Sequence, residues 1–211
     1  MKIVVVDYEI GNVKSIMNAI KLNNVEVVLS RDREIIMSSD GLILPGVGAF
    51  SHAMGNLKKF NLIEILNEYV LTNKPLLGIC LGMQILFDES EEFGVSKGLG
   101  FIEGKVRKLP IISKKTKLPH ISWNGIKKYN LQWKGTILDS IKNDSDVYFV
   151  HTFAGFPSNL DNILSESVYE DTKFCSTVKK NNIYGCQYHP EKSAKNGLEI
   201  IRNFIKICKE K

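Results

Sequence analysis

Cys80 stands between two glycines, in Gly78-Ile79-Cys80-Leu81-Gly82. An apolar run, 75–79 (PLLGI), precedes it, and apolar residues at helical spacing follow. G-x-C-x-G in that context is the thiol form of a nucleophile elbow. A nucleophile displayed on a sharp strand-to-helix turn sits in strained backbone, and side chains two residues to either side would collide. The N-terminus of the following helix would favour a thiolate. The N–H of Leu81 could then donate to an oxyanion. The same five residues also describe a small core cysteine, so a base is needed. One is available at His189, in Tyr184-Gly185-Cys186-Gln187-Tyr188-His189-Pro190-Glu191. Segment 183–187 reads as a strand that Pro190 ends, which leaves His189 at its tip. Glu191 lies two residues on, on the same side of extended chain, where it can orient the imidazole. Cysteine nucleophile, histidine base and carboxylate orienter form a complete set for acyl transfer. Alone, a His-Pro-Glu segment is equally a polar turn, and the sequence does not show it meeting Cys80.

Two kinds of element must position these groups. In the first half, strands alternate with helices: 2–6 (KIVVV), 25–29, 41–44 and 75–79 read as strands. A helix with Val13, Ile16 and Ile20 on one face follows the first strand, and 62–71 reads as another. Short β-branched runs alternating with helices predict an α/β fold with a parallel sheet covered on both faces. In the second half the segments 99–108, 121–129, 147–150, 163–169, 173–179 and 183–187 predict antiparallel strands, with a hairpin turn at Lys179–Asn182. A last helix begins near Ala194 with Ser193 as N-cap, and Leu198, Ile201, Phe204, Ile205 and Cys208 line its inner face. No repeat or linker interrupts the chain, so 1–211 reads as one domain.

Composition excludes several classes. The 211 residues are 44% hydrophobic and 24% charged, and the net charge of +5 is scattered, which implies no nucleic-acid partner. The lysine-rich 113–117 (SKKTK) reads as a solvated loop. The cysteines at 80, 175, 186 and 208 form no CxxC pair, so neither a metal nor a redox centre is expected. Cys175, Cys186 and Cys208 read as core. No apolar run is long enough to span a membrane, and a cytoplasmic location is expected.

Gly78-Ile79-Cys80-Leu81-Gly82-Met83-Gln84 together with His189-Pro190-Glu191-Lys192-Ser193 resembles the class I glutamine amidotransferases. Further motifs resemble one branch, the glutaminase subunits of imidazole glycerol phosphate synthase in histidine biosynthesis. They are Asp7-Tyr8-x-x-Gly11-Asn12, Pro45-Gly46-Val47-Gly48-Ala49-Phe50, Pro119-His120-x-x-Trp123-Asn124 and Tyr148-Phe149-Val150-His151-Thr152. The resemblance spans the chain. It implies a mostly parallel central sheet with extra antiparallel strands, L-glutamine as substrate and no cofactor. It implies Cys80 as nucleophile, His189 as acid and base, and Glu191 as orienter. Leu81 with Val47 and Gly48 would form the oxyanion hole, after a rearrangement of that strand, and Gly46 and Gln84 would contact glutamine. Ammonia would pass to a (β/α)8-barrel cyclase in a heterodimer, with Asn12, Trp123, Phe153 and Lys192 towards the partner.

Departures fall away from the catalytic set. Ser122 stands where the branch usually has Gly, Gly125 where a longer polar residue is typical, Phe153 where Tyr is usual, and Glu9 where Gly is common. Phe153 would lack a hydroxyl to bond across an interface. These changes leave open a paralogue that supplies ammonia for an amidino group on a surface sugar. A non-catalytic scaffold subunit would be expected to lose the nucleophile or its base, and a related peptidase would not need the PGVGAF segment.

Overall fold

The computed structural model describes residues 1–110 and 117–210. The elements are β1 (Lys2–Val6), α1 (Val13–Lys21), β2 (Glu26–Ser30), α2 (Arg33–Met37), β3 (Gly41–Leu44), α3 (Phe50–Lys59), α4 (Leu62–Leu71), β4 (Leu76–Ile79), α5 (Leu81–Gln84), β5 (Phe87–Ser90), β6 (Ser96–Lys97), β7 (Ile102–Lys108), β8 (His120–Lys128), β9 (Ser145–His151), β10 (Phe153–Pro157), β11 (Ile163–Tyr169), β12 (Thr172–Lys180), β13 (Ile183–Cys186) and α6 (Ala194–Lys209). A nine-stranded sheet runs β2-β1-β3-β4-β13-β12-β11-β8-β9, and a four-stranded sheet runs β10-β7-β5-β6.

Strands β2, β1, β3, β4 and β13 are parallel, as alternation of strand and helix in the first half predicts. From β13 outward through β12, β11, β8 and β9 the sheet is antiparallel. Strands β1, β3, β4 and β13 are buried on both faces, whereas the edge strand β2 is partly exposed, and successive side chains enter opposite cores. Ile3 and Val5 join the core under α1 and α6, whereas Val4 and Val6 join the core under α2 to α4. Strand periodicity of two is thus visible as membership of two clusters.

Helix α6 buries Ile200, Ile201, Phe204, Ile205 and Cys208 as its apolar stripe requires. The turn between β12 and β13 falls at Asn181–Asn182, with Asn181 at φ +54°. The lysine-rich loop expectation lies outside the described residues except at Lys117, which is exposed.

Five elements lack a clear sequence signal. Helix α2 is only five residues long, too short for a periodicity, and is started by Asp32, whose side chain accepts from Ile35 N at 3.0 Å. Helix α3 contains Gly55 and several polar residues, and only Phe50, Ala53 and Leu57 are buried. Strands β5, β6 and β10 exist because they pair with β7 and with one another; Lys105 bonds Glu89 across β5 and β7 at 2.7 Å.

Candidate active site

Cys80 lies one residue beyond β4, at φ +53° and ψ −108°. No L residue adopts that conformation without strain. The turn is held by Cys80 N donating to Cys186 O at 2.7 Å, which ties it to β13. The flanking glycines follow from close backbone approach. A Cβ on Gly78 would lie 2.5 Å from Gly82 O, and one on Gly82 would lie 1.9 Å from Leu44 O. The expected helix after the elbow is a single turn, because the backbone beyond it is claimed elsewhere: Leu99 N donates to Ile85 O at 2.9 Å and Gly98 N to Asp88 O at 2.7 Å. One turn supplies little dipole. Activation of the nucleophile therefore falls to a neighbouring side chain more than to α5.

The neighbour is His189. Strand β13 pairs in parallel with β4, Gly185 opposite Gly78 and Cys186 opposite Ile79. This register brings the two strand tips together and closes the long gap in sequence between thiol and imidazole. His189 and Glu191 side chains are 2% and 1% exposed, and Nδ1 lies 2.9 Å from Glu191 Oε1. His189 N donates to Tyr148 O at 2.9 Å. Ser193 occupies the N-cap position of α6, but its hydroxyl does not cap. It donates to His189 O at 2.6 Å and accepts from Tyr148 N at 2.9 Å, which turns it toward the histidine loop and away from the helix N–H groups. His189 Nε2 is buried without a partner. It faces the cavity that Cys80 also lines. Burial alone would lower the His189 pKa; Cys80 and Glu191 beside it prevail and hold it up at about 10. The thiol is near enough to exert that pull, and contacts of this kind commonly tighten when substrate binds.

The other three cysteines are buried thiols whose surroundings disfavour ionisation. Burial pushes Cys186 up to about 12 and raises Cys175 and Cys208 further. They pack as core, as expected. Only Cys80 among the four opens onto the cavity.

The cavity measures about 280 Å³, enough for a whole amino acid, and Val47, Gly48 and Leu81 form its wall beside Cys80. Gly46 is buried against Leu81 rather than lining it. Tyr8, at the tip of β1, donates its buried hydroxyl to Pro45 O and anchors the start of this loop. Gln84 lines the cavity, but its Nε2 is committed to Phe153 O at 2.8 Å and Gln187 Oε1 at 3.2 Å, so its oxygen is the part left for a ligand. Gln187 Nε2 in turn points at Cys80 Sγ, 3.8 Å away.

Sequence reasoning missed Glu92, Gln187, Tyr8 and the ring of His151. Glu92 lines the same cavity as the nucleophile and accepts from Phe50 N at 2.7 Å. It places a carboxylate where a ligand ammonium could sit. Gln187, a fully buried amide at the end of an apolar strand, carried a readable signal; Glu92, in a polar loop, carried none.

Asn12 and Lys192 are exposed, and Trp123 is 50% exposed with its ring 6.0 Å from that of Tyr148. Phe153 differs from these three: it is half-buried and lines the cavity, and its carbonyl holds Gln84. No helix among the described residues is long and apolar enough to cross a membrane.

A family model described as glutamine amidotransferase class-I matches residues 4–208. The chain is 42% identical over 208 residues to Imidazole glycerol phosphate synthase subunit HisH 1 of Legionella pneumophila (strain Lens), covering 96% of this chain and 98% of that one. It is 46% identical over 205 residues to Imidazole glycerol phosphate synthase subunit HisH 2 of Methanococcus maripaludis, covering 97% and 98%. Among solved structures, it resembles PurLQS from Thermotoga maritima with a TM-score of 0.73, 17% identity and 97% of each chain covered. The glutaminase domain of CTPS from Trypanosoma brucei gives a TM-score of 0.68 at 14% identity, covering 100% of this chain and 94% of that one. These two share the fold.

Proposed function

The chain belongs to the class-I glutamine amidotransferase family of glutamine-hydrolysing enzymes, and from that premise we propose that it is the glutaminase subunit of imidazole glycerol phosphate synthase, using Cys80, His189 and Glu191. One observation carries the reading: a cysteine held at φ +53° shares a cavity with the unpartnered Nε2 of a histidine whose Nδ1 is 2.9 Å from a buried carboxylate.

The sulfur of Cys80 adds to the side-chain amide carbon of L-glutamine. The carbonyl oxygen gains charge and takes N–H donors from Leu81, the first residue of α5, and from the Val47–Gly48 peptide. His189, which has taken the thiol proton, gives it from Nε2 to the leaving nitrogen. The C–N bond breaks, and ammonia and a thioester remain. His189, now neutral, takes a proton from water as the hydroxyl oxygen attacks the thioester carbon, and returns it to the departing sulfur with release of glutamate. Glu191 keeps the ring in one orientation throughout. Glu92 is placed to bind the substrate ammonium, and the Gln84 oxygen to accept an N–H.

The chain works as a single domain, 1–211, beside a (β/α)8-barrel cyclase. Exposed Trp123, with Asn12 and Lys192, suits the partner face. Free ammonia is mostly ammonium near neutral pH and a poor nucleophile, so release into a closed complex preserves its reactivity. Partner binding completes the oxyanion hole by turning the Val47–Gly48 peptide, which limits glutamine loss by the free protein.

Glutamate release measured with and without each candidate cyclase and its ligand tests this. Stimulation by the histidine-pathway cyclase supports the assignment. Stimulation only by a sugar-pathway cyclase would make it the paralogue, and no glutamate release with either would overturn the glutaminase itself.

A further inference from the structure

Outside the catalytic set, the described residues hold one other cluster of buried titratable rings, His120 and His151. They are 0% and 6% exposed. We propose that these two histidines are positioning residues, a tautomer-locked pair that relays hydrogen bonds from Ser122 to the Phe153 carbonyl and so aims the Gln84 oxygen at the substrate. The proposal rests on the glutaminase reading above.

Donor and acceptor counting fixes the relay. Phe153 O can only accept, and it faces two groups, Gln84 Nε2 at 2.8 Å and His151 Nδ1 at 2.9 Å. His151 therefore carries its proton on Nδ1. Burial, reinforced by His120, pushes its pKa down to about 3, so the ring is neutral and Nε2 is bare. Nε2 lies 3.0 Å from His120 Nδ1, which must donate. Burial lowers His120 too, which leaves its Nε2 as an acceptor. Two oxygens stand before that nitrogen, Ser122 Oγ at 2.8 Å and Asn124 Oδ1 at 3.2 Å. Asn124 donates an amide hydrogen to Val168 O at 2.6 Å, so its oxygen is turned toward the ring and cannot donate. Ser122 is the one of the two able to satisfy His120. Its Oγ is also 2.5 Å from Asn124 Oδ1, so its single hydrogen lies between ring and amide.

The donors from His120 Nδ1 to Phe153 O point one way, which lets each bond polarise the next, while the Ser122 hydroxyl is shared with Asn124 Oδ1. The rings are packed in place. His120 stacks on Tyr169 and Phe149 at 4.0 and 5.1 Å between centroids, and Phe174 meets the His151 ring at 5.0 Å. Reversing the tautomer of His151 would set its bare Nδ1 against the Phe153 carbonyl. That carbonyl would swing, and Gln84, which it holds, would lose its aim.

Two measurements test the pair. Nitrogen-15 NMR of the imidazoles in the intact protein near neutral pH should show both rings protonated on Nδ1 only. An Nε2–H form or a doubly protonated ring at either position would overturn the relay, whatever the variants do. In the complex with its cyclase and the cyclase ligand, His120→Phe should raise KM for glutamine about tenfold with kcat within about threefold, and His120→Asn, which keeps a donor near the Nδ1 position, should recover most of that loss. An unchanged KM in His120→Phe, or no recovery in His120→Asn, would overturn the positioning role. Wild-type complex that releases no glutamate fails the glutaminase reading, and the NMR result still decides the relay's geometry.

Discussion

The two sides of the active site are built by different means. On the nucleophile side, around β3, β4 and α5, backbone packs on backbone: Gly82 sits under Leu44 O, Gly78 under Gly82 O, and Cys80 takes a strained φ between them. On the base side, around β8, β9 and β13, side chains hold side chains: Glu191 on His189, Ser193 on the His189 carbonyl, His120 on His151. The first side tolerates no added atom. The second tolerates changes of shape but not the loss of a donor or acceptor. Precision on one side thus comes from absent side chains and on the other from paired ones.

Substitutions can break this contrast, and the largest effect is expected at the nucleophile. Cys80→Ala should lower glutamine-dependent turnover by about 10³-fold or more while ammonia-dependent synthesis by the complex persists. Loss of both activities would deny the division of labour between subunits. Gly82→Ala should destabilise the chain by about 3 kcal/mol or more in denaturant unfolding, since its Cβ would meet a backbone oxygen with no room to yield. A near-normal midpoint would show that the elbow can relax.

Glu191→Gln should cost about 10²-fold in kcat and lower the unfolding midpoint near neutral pH, because a hydrogen bond survives but the charge that helps hold His189 protonated is lost. It should also lower the His189 pKa, read by NMR titration. The accompanying stability effect has a definite sign. His189 is raised from an ordinary 6.5 to about 10 in the folded chain. Its contribution is therefore fully present below 6.5 and is lost as pH rises through about 10. Glu191→Gln should flatten that slope; an unchanged slope would remove Glu191 as its cause. The smallest effect is expected at the cavity rim, where Glu92→Gln should raise KM for glutamine about tenfold and leave kcat within about threefold. A fall in kcat alone would place Glu92 in the chemistry instead of in binding.

Legibility followed the same division. The elbow was readable from its context: glycines at these offsets also suit a small core cysteine, and the buried-type strand before it with the helical pattern after it separated the two readings. His189 and Glu191 were readable as a pair from their closeness in sequence, but the extended geometry expected between them is replaced by a 3₁₀ turn at Pro190–Lys192, and it is from that turn that the carboxylate reaches Nδ1. Glu92 was not readable, since a polar loop residue looks the same whether it faces solvent or a cavity. The part Phe153 plays at the cavity was not readable, since its useful atom there is a carbonyl that every residue carries. The length of α5 was also beyond reach, because competing donors at Gly98 and Leu99 end it from a distant loop.

By itself the sequence determined the buried parallel strands, the glycine-flanked turn and the amphipathic last helix. Each is set by periodicity or by sterics within a few residues of the chain. Tertiary structure alone decided that the tips of β4 and β13 lie side by side, that Ser193 locks a histidine loop instead of capping a helix, and that two distant histidines share a proton-bearing contact. Those outcomes depend on strand register and on which donors remain unclaimed after folding, quantities that exist only once the sheets have paired.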